Sequence, residues 1–336
     1  MGDEIEVPFV VLSHEDGLRA DVFLARRLRR MSRSRAAEIV RQGNLRKVPG
    51  GLLEKPATRV FEGDELFLKR KKLEEAPSDD LEIPIVHQDE HLVAVSKPGN
   101  LVVHPTASAY HRTLIRIMRS RLEDDTLDLA HRIDKETSGL VIMVRDPAIA
   151  RAMTHLFAGR DVEKSYLAVV KGVPPQDDLH LDQPMRLRPQ SESGVIMEIG
   201  GEGALPSLTM VRVLARGEGA ALVEARPKTG RQHQIRLHLA HAGLPIVGDK
   251  LYLGGEAFFI RALQPHCEEA EVLATVGHPR QALHAHSARL THPVTKAPLF
   301  LVAPPPPDFY ELLERSAIPL SEELRQALEQ GLAQAI

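Results

Sequence analysis

The sequence predicts an α+β protein in which a small, basic α/β unit precedes a larger domain built on a mixed or antiparallel sheet. Three observations carry this reading. The chain has 336 residues, more than one average domain. Its charge is segregated: residues 17–72 hold 16 Lys and Arg against 6 Asp and Glu, the rest 27 against 40, so a net charge of −3 hides a strongly positive segment. From Leu81 onward, short β-rich runs dominate and do not alternate regularly with helical patterns, which argues against a doubly wound parallel sheet.

Composition narrows the class further. Hydrophobic residues make up 43% and charged residues 26%, and Gly and Pro show no period, which excludes disordered and fibrous proteins. Apolar runs such as Leu140 to Val144 are far too short for a membrane span. The start is acidic where a signal peptide is basic, and Glu6 stands where a myristoylation site needs Ser or Thr, so a soluble, cytoplasmic protein, monomeric and without a membrane partner, is expected. Cys267 is the single cysteine, which removes an internal disulfide and any Cys-rich zinc site.

The elements follow in chain order. Residues 1–16 read as a short acidic arm. Leu18, Val22, Ala25 and Leu28 share a helix face and turn Arg26, Arg27 and Arg30 outward; Ala36, Ile39 and Val40 mark a second helix that Gly43 stops. Strands follow at Leu45 to Val48 and Glu65 to Lys69, and a linker covers 71–80. Such a basic module either holds a polyanion through phosphate contacts, nucleic acid being favoured, with Arg26, Arg27, Arg30, Arg33, Arg35 and Arg41 as the candidate binding side chains, or is a solvated, Arg-rich helix face. In the larger domain the strands fall at Leu92 to Ser96, Leu140 to Val144, Ser165 to Val170, Thr209 to Leu214, Ala221 to Ala225, Leu283 to Leu290 and Leu299 to Val302, with helices at Pro147 to Ala158 and Gly230 to Ala242.

Three places carry candidate chemistry. Ala130 to Gly139 crowds charges of both signs into a loop before an apolar strand, so Asp134 sits at a sheet margin beside cations. Held there it is either an ionised nucleophile or base, or a cap for the loop's own amides. The second is Lys228 to His238, where Thr229 with Gln232 fits a capping box and the donors of the first turn suit an anion, either a substrate phosphate or the Asp134 carboxylate. The third is Tyr166, a core residue or one of the few rings able to stack on a base in a chain with no Trp. Sixteen histidines show no ligand spacing, and no catalytic metal is expected.

His131-Arg132-Ile133-Asp134 with Thr137-Ser138-Gly139, then Tyr166 in Lys-Ser-Tyr-Leu-Ala, Gly230 to Arg236, and Gly243 to Asp249 resemble, in order, the motifs of the RluA-type pseudouridine synthases. Lys97-Pro98 with Val103-His104-Pro105, and Leu283-His284-Ala285 with His292 to Thr295, resemble that family's opening and closing motifs. The resemblance spans about Leu81 to Phe309, and Gly17 to Lys69 resembles the small S-four-like RNA-binding module named for a ribosomal protein. Ile133 replaces a usual Leu, Gly99-Asn100 replaces a small residue followed by Gly, and residues 255–280 are harder to match and read as an insertion.

The resemblance implies domains at 17–70 and 81–310 with a helical tail at 311–336, and isomerisation of specific uridines in structured RNA without cofactor. It places the catalytic aspartate on Asp134, its arginine on Arg236 and the tyrosine against the base on Tyr166. Arg132 is implied to fill the space of a flipped nucleotide, and His131, Thr137, Arg231, His233, Gln234, Lys97 and His104 are implied to bind substrate. Ribosomal RNA of the large subunit is the favoured partner and transfer RNA the second. Two other classes fit parts of the chain: a metal-dependent nuclease would lose activity on chelation, and a non-catalytic RNA-binding or ribosome-assembly protein would tolerate replacement of Asp134.

Overall fold

The computed structural model of the protein describes residues 4–28, 33–71, 81–105, 112–159, 161–264 and 266–331, which divide into two compact units spanning residues 4–71 and 81–331. The expected linker falls almost entirely outside the described residues, as does Arg30. No helix among the described residues is long and apolar enough to cross a membrane.

The first unit runs β1 (Glu4–Val10), α1 (Ala20–Arg27), α2 (Arg33–Arg41), β2 (Leu45–Val48), β3 (Gly51–Leu52) and β4 (Glu65–Lys71), with sheet order β1-β4-β2-β3. Residues 4–10 are therefore not a loose arm: β1 pairs with β4 from Glu4 opposite Lys71 to Val10 opposite Glu65. Val7 and Phe9 are partly buried against the unit's core while Glu6, Pro8 and Val10 are exposed, and the Phe9 ring meets Phe23 edge-on at 6.1 Å, so period-two burial outweighs the acidic composition that suggested an arm. The two helices close the unit's own core around Phe23, Leu24, Val40 and Leu66. Arg26, Arg35 and Arg41 are exposed, and so is Arg33, although it reaches Asp21. Arg27 departs from the expectation, because its guanidinium is spent on Glu15 (2.7 Å) and the Val10 carbonyl (2.8 Å), inside the unit.

The second unit runs β5 (Ile85–Gln88), β6 (Leu92–Lys97), α3 (Leu114–Leu122), β7 (Asp128–Leu129), β8 (Ser138–Val144), α4 (Pro147–Gly159), β9 (Glu163–Lys171), β10 (Asp178–Leu181), β11 (Met185–Leu187), β12 (Met197–Ile199), β13 (Thr209–Arg216) and β14 (Ala220–Pro227). It continues with α5 (Gln234–His241), α6 (Glu256–Ala262), α7 (Glu269–Val276), β15 (Leu283–Thr291), β16 (Pro298–Val302), α8 (Pro307–Arg315) and α9 (Glu322–Gln330). One sheet has the order β10-β13-β14-β9-β15-β8-β6-β5, with β16 added on β15 and β7 on β8. Every pairing in it is antiparallel except β15 with β8, which touch only at His284–Ser138 and Ala285–Gly139.

The apolar run in β8 has a direct cause. Leu140, Ile142 and Val144 pack with α4 on one face, while Val141 and Met143 pack with α3 on the other, so the strand is buried on both sides. The short parallel contact with β15 is where the two halves of the sheet meet, and it demands a glycine. Gly139 has φ of 104°, and a Cβ there would stand 2.2 Å from the Ala285 carbonyl oxygen. The loop that carries Asp134 opens immediately before this seam.

The C-terminal boundary needs correction. A tail beginning at 311 cuts through α8, whose Phe309, Leu312 and Leu313 share a face and are buried with Leu167, Val169 and Val223 of the sheet. Helix α9 adds Ala327 and Leu328, and the Leu328 carbonyl takes a hydrogen bond from His286 (2.7 Å), so both helices belong to the domain core. Residues 255–280, unmatched in sequence, form α6 and α7.

Candidate active site

The loop before β8 is held by its own residues and by the neighbouring side chains of Lys97, Lys250 and Gln281. Ala130 donates its N–H to Ile142, and Ile142 returns its N–H to His131 Nε2 at 3.1 Å, which folds the loop onto β8. Lys97, almost fully buried at the end of β6, spends its three ammonium protons on the carbonyls of Pro98, Leu101 and Lys135, the last within the loop. Burial, reinforced by the charge of Arg280, pulls Lys97 down to about 7, while the three carbonyls favour the ammonium form. Glu136 accepts from Lys250 (2.7 Å) and from the Gln281 N–H (3.0 Å), and the Thr137 hydroxyl accepts from Gln281 Nε2 (2.6 Å). Asn100, the departure from the resemblance, takes φ of 62°, the left-handed turn that Asn tolerates best.

Arg236 meets Asp134 from α5. Its Nη1 donates to Asp134 Oδ2 at 2.8 Å, while Nε and Nη2 form a fork on Asp249 at 2.7 and 2.9 Å. Asp249 is fully buried and also accepts the N–H groups of Leu251 and Tyr252, which fixes the fork. Gly248 makes this approach possible, since a Cβ there would fall 1.8 Å from the Arg280 carbonyl oxygen. The Tyr252 ring lies 5.2 Å from the guanidinium. Asp134 itself keeps 36% of its side-chain surface open.

These surroundings decide its charge. Burial opposes ionisation of Asp134, but the charges of Arg236 and His233 and the hydrogen bonds from Arg236 and Gln281 outweigh it and hold the carboxyl below the ordinary aspartate value. A group with a depressed pKa contributes stability present above the unfolded value and lost as the pH falls through the folded one. The chemical step should accordingly stay flat from about pH 6.5 down to about pH 5 in single-turnover assays. A titration centred inside that window contradicts an ionised Asp134.

Tyr166 stands beside this carboxylate. Burial, with the charge of Asp134, pushes its phenol up to about 12, so it stays neutral at physiological pH. Its partners across the sheet are both alanines, Ala225 and Ala285, which leaves the ring room on that face.

Other expected residues divide between the site and its scaffold. Arg132 and Arg231 are exposed, and their side chains form no hydrogen bond or ion pair with any described residue. His233 lies in the left-handed region, φ 55°, and its Nδ1 is 3.1 Å from the Tyr252 hydroxyl. Gln234 does not face substrate: it takes the Thr229 hydroxyl (2.6 Å) and the Arg231 N–H (3.1 Å) and donates to Leu208 and Thr209 (2.9 and 3.0 Å), so all its capacity is used. The Thr229–Gln232 capping box is replaced by this arrangement, with His233 as N-cap of α5. His131 is likewise a brace, stacked 4.7 Å from Phe157 and pulled down to about 3 by burial and by the charge of Lys164. His104 is exposed, and its Nδ1 meets only the carbonyl of Pro105 among the described residues.

Sequence reasoning missed Asp249, Tyr252, Gln281, Lys250 and the Arg280–Asp308 pair. Asp249 closed a quoted motif, yet nothing in a spacing of 13 residues from Arg236 says that the two meet. Arg280 forks onto Asp308 of α8 and gives Nη1 to the carbonyls of Glu136 and Gln281, which gives the unmatched segment a place behind the loop. The conspicuous histidines are spent internally: His284 bonds Ser138 and Ala303, and His238 bonds Ser207, Thr209 and Gln183.

An ionised carboxylate clamped by a buried guanidinium, open on one side next to a neutral tyrosine, has the chemistry of a nucleophile or base. Residues 91–241 match the family described as RNA pseudouridylate synthase. The chain is 33% identical over 321 residues to the ribosomal large subunit pseudouridine synthase D of Xylella fastidiosa, covering 92% of this chain and 93% of the relative. It is 32% identical over 309 residues to the protein of the same name from Haemophilus ducreyi, covering 89% and 90%. The solved structure of human RNA pseudouridylate synthase domain containing 4 is similar with a TM-score of 0.56 and 27% identity, over 71% of this chain and 94% of that one. The chain belongs to the RNA pseudouridylate synthase family, and it is an isomerase that converts uridine in RNA to pseudouridine.

Proposed function

We propose that the protein isomerises specific uridines of large-subunit ribosomal RNA, with Asp134 as the catalytic group, Arg236 as the cation that keeps it ionised and aimed, and Tyr166 as the ring against the base. The observation that carries the roles is the Asp134–Arg236–Asp249 bridge beside Tyr166. Asp134 either attacks C1′, forming an ester bond as the C1′–N1 bond breaks, or takes the C2′ proton as that bond breaks; the base turns, and C5 joins C1′ as the ester bond breaks or as the proton returns to C2′, after which the C5 hydrogen leaves as a proton and N1 carries one. A uridine cannot turn inside a stack, so the nucleotide is extruded, and the exposed Arg132 takes its place in the helix. His233 and Arg231 border the opening, while Lys97 and Thr137 act through the loop. The ribosomal target is supported by the names of the relatives, whose similarity runs over about nine-tenths of both chains.

Residues 4–71 are the RNA-holding module, S-four-like, through the exposed Arg26, Arg33, Arg35 and Arg41. The protein acts as a cytoplasmic monomer. Because the two units have separate cores, removal of residues 1–72 should leave isomerisation of a short stem-loop at saturating enzyme near the full-length rate. On large-subunit ribosomal RNA at limiting enzyme it should fall far behind, with a shallower dependence of affinity on salt, since each lost phosphate contact removes about one unit of slope. Tritium release from C5-labelled transcripts tests both parts. Release from transfer RNA and none from ribosomal RNA overturns the target, and an unchanged salt slope overturns the module's role.

A further inference from the structure

Of the buried cations near the site, Lys97 is held by three backbone carbonyls. Arg236, Lys250 and Arg280 are each held by a carboxylate, from Asp249 and Asp134, Glu136, and Asp308 respectively. Lys164 is different. It is half-buried on β9 and has no carboxylate and no hydrogen-bond acceptor among the described residues; its ammonium lies 5.6 Å from the centre of the Phe157 ring. Desolvation lowers its pKa, the mark of a cation sheltered from water with no carboxylate among the described residues to neutralise it.

Its position is informative. Lys164 precedes Tyr166 by two residues on the same strand, so the two side chains share a face about 7 Å apart along it. That spacing is comparable to the distance from a base to the phosphates of its own nucleotide. Lys164 also stands between two loops of the site. It lines a small pocket with His131, Phe157 and Tyr166, and its Nζ is 4.0 Å from where a Cβ on Gly230 would be. Gly230 leads into Arg231, and His131 into Arg132, the two exposed arginines whose side chains also lack a partner among the described residues.

We propose that Lys164 receives a backbone phosphodiester of the RNA immediately next to the uridine turned against Tyr166, so that it anchors the strand while Arg132 and Arg231 flank it. The inference rests on the reading of this site as one that takes an extruded uridine. An incoming phosphate neutralises the stranded ammonium, and the absent side chain at Gly230 leaves the approach open. Lys164 is thus a substrate-binding residue, outside the bond-making group of Asp134 and Arg236.

The test is single-turnover isomerisation of a ribosomal RNA stem-loop by wild type, Lys164→Met, Lys164→Gln and Lys164→Arg, on substrates carrying a neutral methylphosphonate at each phosphate flanking the target. Lys164→Met should raise the half-saturating enzyme concentration about tenfold, keep the saturating rate within about threefold, and flatten the salt slope by slightly less than one unit. Lys164→Arg should recover most of the loss. At one flanking position the methylphosphonate should weaken wild type by a similar factor and Lys164→Met no further. Lys164→Gln serves if the Met variant does not fold. Variants that bind as tightly as wild type, or losses that multiply at every flanking phosphate, overturn the proposal. Absence of wild-type turnover on every ribosomal fragment would instead defeat the assignment of the target RNA.

Discussion

Replacing Asp134 with Asn abolishes isomerisation, by at least about 10⁴-fold, while RNA affinity stays within about threefold of wild type. Asn keeps the shape and an oxygen to accept from Arg236 Nη1, but it carries no charge, forms no adduct with the ribose and takes up no proton. The fold survives, because Arg236 and Asp249 remain a neutral, forked pair when the third charge is removed. Tritium release from C5-labelled uridine in purified RNA, with thermal melting of the variant alongside, checks both statements. Turnover near the wild-type rate by the Asn variant removes Asp134 from the chemistry.

Arg236→Ala has the second large effect, and it acts on stability as well as rate. The substitution strands Asp249, which has no exposed surface, and frees Asp134 from the group that holds it, so the protein should lose about 3–5 kcal/mol of stability. Single-turnover activity should fall at least about 10³-fold. Arg231→Ala, whose side chain is exposed and forms no bond with the described residues, should lose less than about tenfold and melt as wild type. Lysine at 236 rescues little, since a point ammonium cannot bridge two carboxylates at once. Urea titration and single-turnover rates for these variants decide it; equal losses at the two arginines contradict the role given to Arg236.

How far the sequence could be read depended on the range of the interaction. Strands with a local cause were legible: the apolar run of β8 from burial on both faces, and β9 and β13 from their β-branched residues. Asp134 was visible as a charged loop before such a strand, but its two readings, nucleophile or loop cap, could not be separated by spacing. The resemblance of the motifs selected one. Long-range partners were out of reach, because Arg236 and Asp134 are 102 residues apart and Gln281 lies 144 from Thr137. The same blindness misplaced Gln234, whose four bonds run back to residues 208–231, and Arg27, whose charge is answered by Glu15. Composition misled at the N-terminus, where the acidic residues hid the strand that packs Val7 and Phe9 against the unit's core.

The most direct single measurement is chemical mapping of pseudouridines in the large-subunit ribosomal RNA of cells that lack the protein and are resupplied with wild type or with Asp134→Asn. Sites lost with the protein should return with wild type and stay unmodified with the Asn variant, although that variant folds and binds. Restoration of the modification by Asp134→Asn, or a ribosomal map unchanged by loss of the protein, contradicts the central claim that the clamped Asp134 carboxylate isomerises uridines of that RNA.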